Sequence, residues 1–412
     1  MAVNNTMDPV VWLRKHLEDG ASDLLREMIR SFAELLMDAE AQGLCGAGYG
    51  EVAPERVNVR NGYRSRDVDT RVGTIELAIP KLRRGSYFPE WLLEPRRRAE
   101  QALTQVVCQC YVEGVSTRRV DDIVKTLGIE GMSRSQVSRL AKALDATVEA
   151  FRSRPLDAGP YTYVWLDALT QKVREGGRIV NVACVIATGV NANGNREVLG
   201  LEVITTEDGA GWLAFLRSLV ARGLSGVQLV ISDAHEGLTG AIAAVLTGAT
   251  WQRCRTHAMR NLMTKVPKAS QSMVATLVRT IFEQPDGEQV WAQHARVVAQ
   301  LEGRFPDVAA MLIDMAPDLL AFTGFPVEHW SAIRSNNPQE RLNKELRRRT
   351  DVVGIFPNRD AVVRLVGAVL AEQHDEWAVA RRYMSAESLA KARMRLITND
   401  EQEALPELEA AV

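Results

Sequence analysis

Three carboxylates stand where this 412-residue sequence could use them for chemistry. Asp167 follows the apolar run YTYVWL, Asp233 follows VQLVIS, and Glu340 lies within SNNPQERLNKELRRRT. Side chains that leave a sheet at strand ends reach the mouth of an α/β site. Aspartate also follows strands simply because it favours turns and caps. Glu340 is ambiguous in the same way. Asn337 reads as a helix N-cap and Pro338 as the first helical residue, so Glu340 falls at N3, where a capping-box glutamate reaches back to the cap. Three carboxylates brought together would instead give hard oxygen ligands of the kind Mg²⁺ and Mn²⁺ take, with positions left for water and phosphate oxygens. The three are far apart in sequence, so only the fold can unite them.

The neighbours of these residues suggest a polyanionic partner. Lys344 and Arg347 follow Glu340 by about one and two helical turns and share its face, within reach of a DNA backbone beside it. Arg253, Arg255, Arg260, Lys265 and Lys268 meet no acid between Trp251 and Ser270, a local basic patch that fits a DNA path. Cys254 and His257 have the short spacing of a metal-ligand pair. A closed zinc site needs four ligands, and no second pair lies nearby in sequence, so this pair reads as a brace for the adjacent strand. His235 reads as local polar structure. Trp291 and Trp330 suit either base stacking or helix packing.

The elements that would position these residues follow from periodicity. From Val10 to Leu36 apolar residues recur at helical spacing until the glycines from Gly43 onward. Val57 and Val59 then lead into Asn61-Gly62, a hairpin-turn signal, and Ile75, Leu77 and Ile79 alternate as a strand. This small β unit carries eleven basic residues from Arg56 to Arg98 against five acidic ones, a solvated surface or a surface for phosphates. Between Ser116 and Leu144 two helices flank a turn. Ser133-Arg-Ser-Gln136 is a capping box opening the second, which presents Arg134, Gln136, Arg139 and Lys142 as a helix-turn-helix would to a major groove. After Arg154-Pro155 come three strands, a helix, a strand, a helix and a strand, followed from His257 to about Ile333 by helix alone. The helix of Glu340 and a helical C-terminal region close the chain, ending in an acidic tail.

Composition places bounds on the rest. With 46% hydrophobic and 25% charged residues and a net charge of -2, no overall positive excess announces a nucleic-acid binder, so that reading rests on local patches. The five scattered cysteines suit a reducing compartment. No window approaches the roughly 18 apolar residues of a membrane span, and the N-terminus lacks a basic start with an apolar core, so a soluble, cytoplasmic protein is expected.

The blocks RNGYRSR, TRVGTIELAIPKLR, VWLDAL, SDAHEGL, WQRCRTHAMRNL and HWSAIRSNNPQERLNKELRRRTDVVGIFPN, in that order, make the chain similar to the mutator-type transposases of bacterial insertion sequences. The resemblance implies an α/β ribonuclease-H-like catalytic core interrupted by an all-α insertion and preceded by helical and small β DNA-binding segments. On that pattern the chain divides into 1–50 (helical), 51–98 (basic β), 99–152 (helix-turn-helix-like), 155–258 (first part of the core), 259–333 (insertion), 334–352 (Glu helix) and 353–412 (C-terminal region). It implies a triad of Asp167, Asp233 and Glu340 holding two Mg²⁺ or Mn²⁺, a supporting pair Cys254 and His257, and a basic residue at Arg347. It further implies double-stranded DNA as partner, as element ends and target, and a homodimer or larger assembly on that DNA. The expected function is binding of terminal inverted repeats with metal-dependent cleavage and strand transfer. The alternatives are a catalytically silent DNA-binding regulator and a ribonuclease-H-like nuclease that only hydrolyses.

Overall fold

The computed structural model describes residues 24–403 apart from 49, 71, 94–98, 100, 128 and 130, with backbone alone at 101 and 395–403. The chain forms two compact units, divided between Ala143 and Leu144.

In the first unit the helix expected from Val10 begins outside the described residues. Its described part runs Leu24–Cys45, passing through Gly43, because Ala33, Met37, Ala41 and Cys45 continue one buried stripe at four-residue spacing. That stripe packs on a hairpin of β1 (Arg60–Thr70) and β2 (Gly73–Leu82), whose inner face carries Val68, Ile75, Leu77 and Ile79. Asn61-Gly62 is not the turn the sequence suggested. The chain reverses between Thr70 and Gly73, where the Thr70 hydroxyl donates to the Gly73 carbonyl at 2.7 Å. Gly62 instead uses its positive φ of 75° inside β1, where the register slips between Arg60 and Tyr63.

Three helices, Gln101–Val112, Thr117–Thr126 and Arg134–Ala141, complete this unit around Leu103, Val107, Val120, Val124 and Val137. The capping box is present: Ser133 Oγ accepts from the Gln136 N–H, and Gln136 Oε1 accepts from the Ser133 N–H at 2.7 Å. Asp121 fixes the turn by accepting from the Met132 N–H at 2.6 Å.

The second unit is mixed α/β. Strands β3 (Tyr163–Glu175), β4 (Arg178–Val190) and β5 (Arg196–Ile204) form an antiparallel meander, and β6 (Leu229–Ser232) and β7 (Thr250–Arg253) extend it in parallel, in the order β5-β4-β3-β6-β7. Alternate residues of the central strands face different cores. Val164, Leu166 and Val230 pack under the helices Gly209–Ala221 and Glu236–Val245. Tyr163, Trp165, Leu229 and Ile231 pack under Arg255–Thr264 and the helical block that follows it. Strands buried on both faces explain why the central runs lack polar alternation. Gln252, fully buried on β7, ties the block to the sheet by donating to the Leu319 carbonyl at 2.9 Å and accepting from the Phe322 N–H at 2.7 Å.

The helix Asn337–Val353 lies on that same face, and it is seated largely by hydrogen bonds. Asn336, fully buried, donates through Nδ2 to the Leu166 carbonyl at 3.1 Å. Thr188 donates to Gln339 at 2.8 Å, Asn343 donates to Asp167 at 2.8 Å, and Gln171 donates to Thr350 at 3.2 Å. Leu342 and Leu346 fill the spaces beside this polar line. Asn336→Ala orphans the Leu166 carbonyl, so it should destabilise the protein by about 1–3 kcal/mol. A urea midpoint unchanged from wild type would show that Asn336 does not hold the helix.

Candidate active site

The positions of the two aspartates follow from strand register. β3 and β6 pair in parallel at Tyr163 with Leu229, Val164 with Val230 and Trp165 with Ile231. Carrying that register on by two residues sets Asp167 across from Asp233. Asp167 does not end its strand as the sequence suggested. β3 continues to Glu175 because β4 pairs with it throughout, and only the parallel partner β6 stops at Ser232. Asp167 therefore sits at the end of the parallel half of the sheet, with one strand edge open.

Burial raises the Asp167 carboxyl to about 7, with Asp233 and Glu207 pushing the same way and the Ala168 N–H and His257 opposing them. Glu207 is itself raised by burial and by Asp233, with His235 opposing. Glu207 belongs to the acidic mouth and carried no sequence signal, because Thr-Thr-Glu-Asp reads as an ordinary loop. Asn343 was also missed, although it lies one helical turn from Glu340 and fixes Asp167 directly.

Glu340 is not a capping-box residue. The helix begins at Asn337 after the cap position Asn336, which puts Pro338 at N2 and Glu340 at N4. The side chain of Asn336 binds the Leu166 carbonyl, and that of Asn337 accepts from Thr256 Oγ1 at 3.2 Å, so neither serves a cap. The Glu340 carboxylate faces His257, with Oε1 3.9 Å from Nε2.

Cys254 and His257 stand where β7 passes into the helix Arg255–Thr264. Cys254 is buried and accepts from the Asn336 N–H at 3.1 Å, while its own N–H donates to the Ser232 carbonyl at 2.7 Å. Burial alone would raise its thiol, but the neighbouring His257 and the Asn336 N–H outweigh burial and hold it below its ordinary value. His257 is raised, chiefly by Cys254, with smaller contributions from Asp233 and Asp167. The imidazole thus links the aspartates to Glu340. Among the described residues the tight cluster of ligand-bearing groups is Cys254, His257 and Glu340, whose ligand atoms lie within 4.8 Å of one another. The aspartates stand outside that cluster.

Several residues marked as DNA contacts are engaged elsewhere. Arg134, Arg139 and Lys142 are exposed, but Gln136 gives its carbonyl oxygen to the capping box. In the basic patch, Arg253 pairs with Asp318 at 3.5 Å and Arg255 lies over Phe282, leaving Arg260, Lys265 and Lys268 on the surface. In the β hairpin Arg60 is buried against Asp38 at 2.9 Å. Lys344 and Arg347 are exposed on the Glu340 helix. Trp330 is buried against Phe322, while Trp291 is partly exposed and donates to Thr323 at 3.3 Å.

The arrangement is that of a protein with an acidic mouth at the end of a parallel strand pair and a basic surface nearby. The chain belongs to the Mutator family of transposases, whose model matches residues 2–380. It is 59% identical over 401 residues to the transposase for insertion sequence element IS1081 of Mycobacterium tuberculosis, covering 97% of each chain. It is 38% identical over 367 residues to the transposase for element ISRM5 of Rhizobium meliloti, covering 89% of this chain and 92% of that one. To the transposase for element IS256 in transposon Tn4001 of Staphylococcus aureus it is 36% identical over 362 residues, covering 87% and 92%. The resemblance read from the sequence blocks is borne out, and the protein is a transposase.

The raised Asp167 carboxyl has a consequence for stability. Folded near 7 and unfolded near an ordinary 3.9 or so, Asp167 binds more protons folded, so stability falls as pH rises through that window. Asp167→Asn should therefore stabilise the metal-free protein at pH 8, by on the order of 1–2 kcal/mol, and have little effect near pH 4. Thermal unfolding at both pH values checks this, and equal shifts at the two would contradict it.

Proposed function

We propose that the enzyme cuts and joins DNA strands at the ends of its element by metal-assisted phosphoryl transfer, with Asp167, Asp233 and Glu340 as the residues that hold the metal. The observation that carries this reading is the register of β3 on β6, which sets Asp167 across from Asp233 in a mouth where burial and Asp233 both raise the proton affinity of Asp167. Neighbouring acids that repel one another are a donor set a divalent cation relieves, and all-oxygen ligands suit Mg²⁺ or Mn²⁺. When bound there, such ions supply positive charge to the attacking and leaving oxygens of a phosphodiester.

The chain's own residues perform the remaining work. Asn343 holds the Asp167 carboxylate in one orientation. The Glu340 side chain lies on a helix seated against the same strand, within reach of His257, which is coupled to both aspartates. Lys344 and Arg347 grip the DNA backbone beside the acids, and Arg134, Arg139 and Lys142 on the exposed side of their helix serve recognition of the terminal repeats. The core is read as ribonuclease-H-like, since strands, helix, strand, helix and strand precede a helical insertion and then the Glu helix. Two element ends must meet during joining, which calls for a homodimer or larger assembly on DNA. A cytoplasmic site of action accords with there being no single helix among the described residues long and apolar enough to cross a membrane.

Asp233→Asn should lower Mg²⁺-dependent cleavage of element-end DNA at least about 1000-fold while leaving end binding intact. Cleavage at the wild-type rate sinks the triad, and nicked DNA without joined product from the wild type identifies a nuclease. Lys344→Ala and Arg347→Ala should each reduce the slope of log affinity against log salt by about 0.9. Slopes equal to wild type would place these side chains off the DNA.

A further inference from the structure

We propose that Cys254, His257 and Glu340 form a site for a borderline-soft divalent cation, Zn²⁺ foremost, which draws Glu340 away from the aspartates and so holds the transposase inactive. The inhibitory part of this proposal rests on the triad assignment above. The binding part stands on the cluster itself.

The ligand atoms of the three residues lie within 4.8 Å of one another, and the His257 to Glu340 gap is 3.9 Å. Zinc bonds of about 2.0–2.3 Å in a tetrahedron leave ligand atoms roughly 3.3–3.8 Å apart, so closure by about 1 Å completes the cage. The donors are a thiol, an imidazole and a carboxylate, the mixed set that zinc takes and that magnesium, with its octahedron of oxygens, declines. Three protein ligands leave a fourth position for water or a phosphate oxygen. Metal binding would displace the Cys254 thiol proton to solvent.

The site is also held in place. Cys254 is a free, buried thiol fixed by hydrogen bonds on both sides, to the end of β6 through Ser232 and to the start of the Glu helix through Asn336. Sequence spacing alone gave a ligand pair with no partners. The fold brings the third ligand from the distant Glu340, which has one carboxylate and two possible uses for it.

Metal-stripped full-length protein titrated with Co²⁺ reports thiolate ligation directly through its sulfur-to-cobalt absorption. The expected result is one Co²⁺ per chain with that absorption, displaced by Zn²⁺ and abolished in Cys254→Ser. Outer-sphere partners alone are worth about 10–100-fold in metal affinity, so Glu340→Gln and His257→Ala, each lacking a ligand, should weaken Zn²⁺ at least about 10-fold. Zn²⁺ should inhibit cleavage in excess Mg²⁺, and the cleavage that Cys254→Ser retains should need at least about 10-fold more Zn²⁺ for the same fractional loss. No thiolate absorption, or absorption that survives in Cys254→Ser, overturns the site. Zn²⁺ affinity unchanged in Glu340→Gln overturns the role of that carboxylate. Asp233→Asn separates the two readings: it should keep the cobalt absorption while losing cleavage, and if it cleaves normally the triad and the inhibitory part fail together while the metal site stands.

Discussion

Everything at this site depends on three residue pairs of parallel β-sheet. Because Trp165 pairs with Ile231, the chain positions two beyond each bring Asp167 and Asp233 together. A slip of one residue would turn each strand's side chains to the opposite face and move Tyr163 and Trp165 out of one core and Val164 and Leu166 out of the other. The large aromatic and aliphatic side chains under both faces thus set the position of the charges. Hydrophobic burial chooses the register, and the register places repelling acids side by side at the point where β6 runs out.

The helix bearing Glu340 solves a different problem. A helix seated on a sheet by apolar contacts alone can slide, since dispersion contacts are short-ranged but not directional. Asn336, Gln339, Asn343 and Thr350 give this helix directional bonds to β3 and β4 along most of its length. Buried polar groups of this kind are costly when unpaired, and pairing them fixes one alignment. The same logic accounts for Gln252, which locks the helical block to β7.

Much of this was legible in the sequence, and the failures have physical causes. The order of strands and helices and the Ser133 capping box showed in periodicity and spacing, because local propensity and burial agree there. The Asn61-Gly62 turn was misplaced because the positive φ that glycine tolerates serves a bulge as well as a turn. Asp167 was read as a strand end because its neighbours change character there, whereas what ends is the neighbouring strand. Asn336 and Asn337 differ by one position, and spacing could not tell which precedes the helix when both side chains are claimed by other segments. Glu207 was invisible, since nothing local distinguishes an acid of the mouth from an acid of a loop.

Asn336 has a consequence for motion. Its side chain holds the backbone of β3, its N–H holds the thiol beyond β7, and its carbonyl accepts from the Glu340 N–H at 2.8 Å. The base from which the Glu340 side chain projects is therefore anchored at both ends of the parallel layer. The carboxylate can change direction by rotating about its own bonds without any shift of the helix. Reorientation of that kind belongs to the picosecond-to-nanosecond range of side-chain rotation, far from the microseconds and longer of packed elements moving past one another. The protein scaffold can remain still while the Glu340 carboxylate turns toward or away from His257.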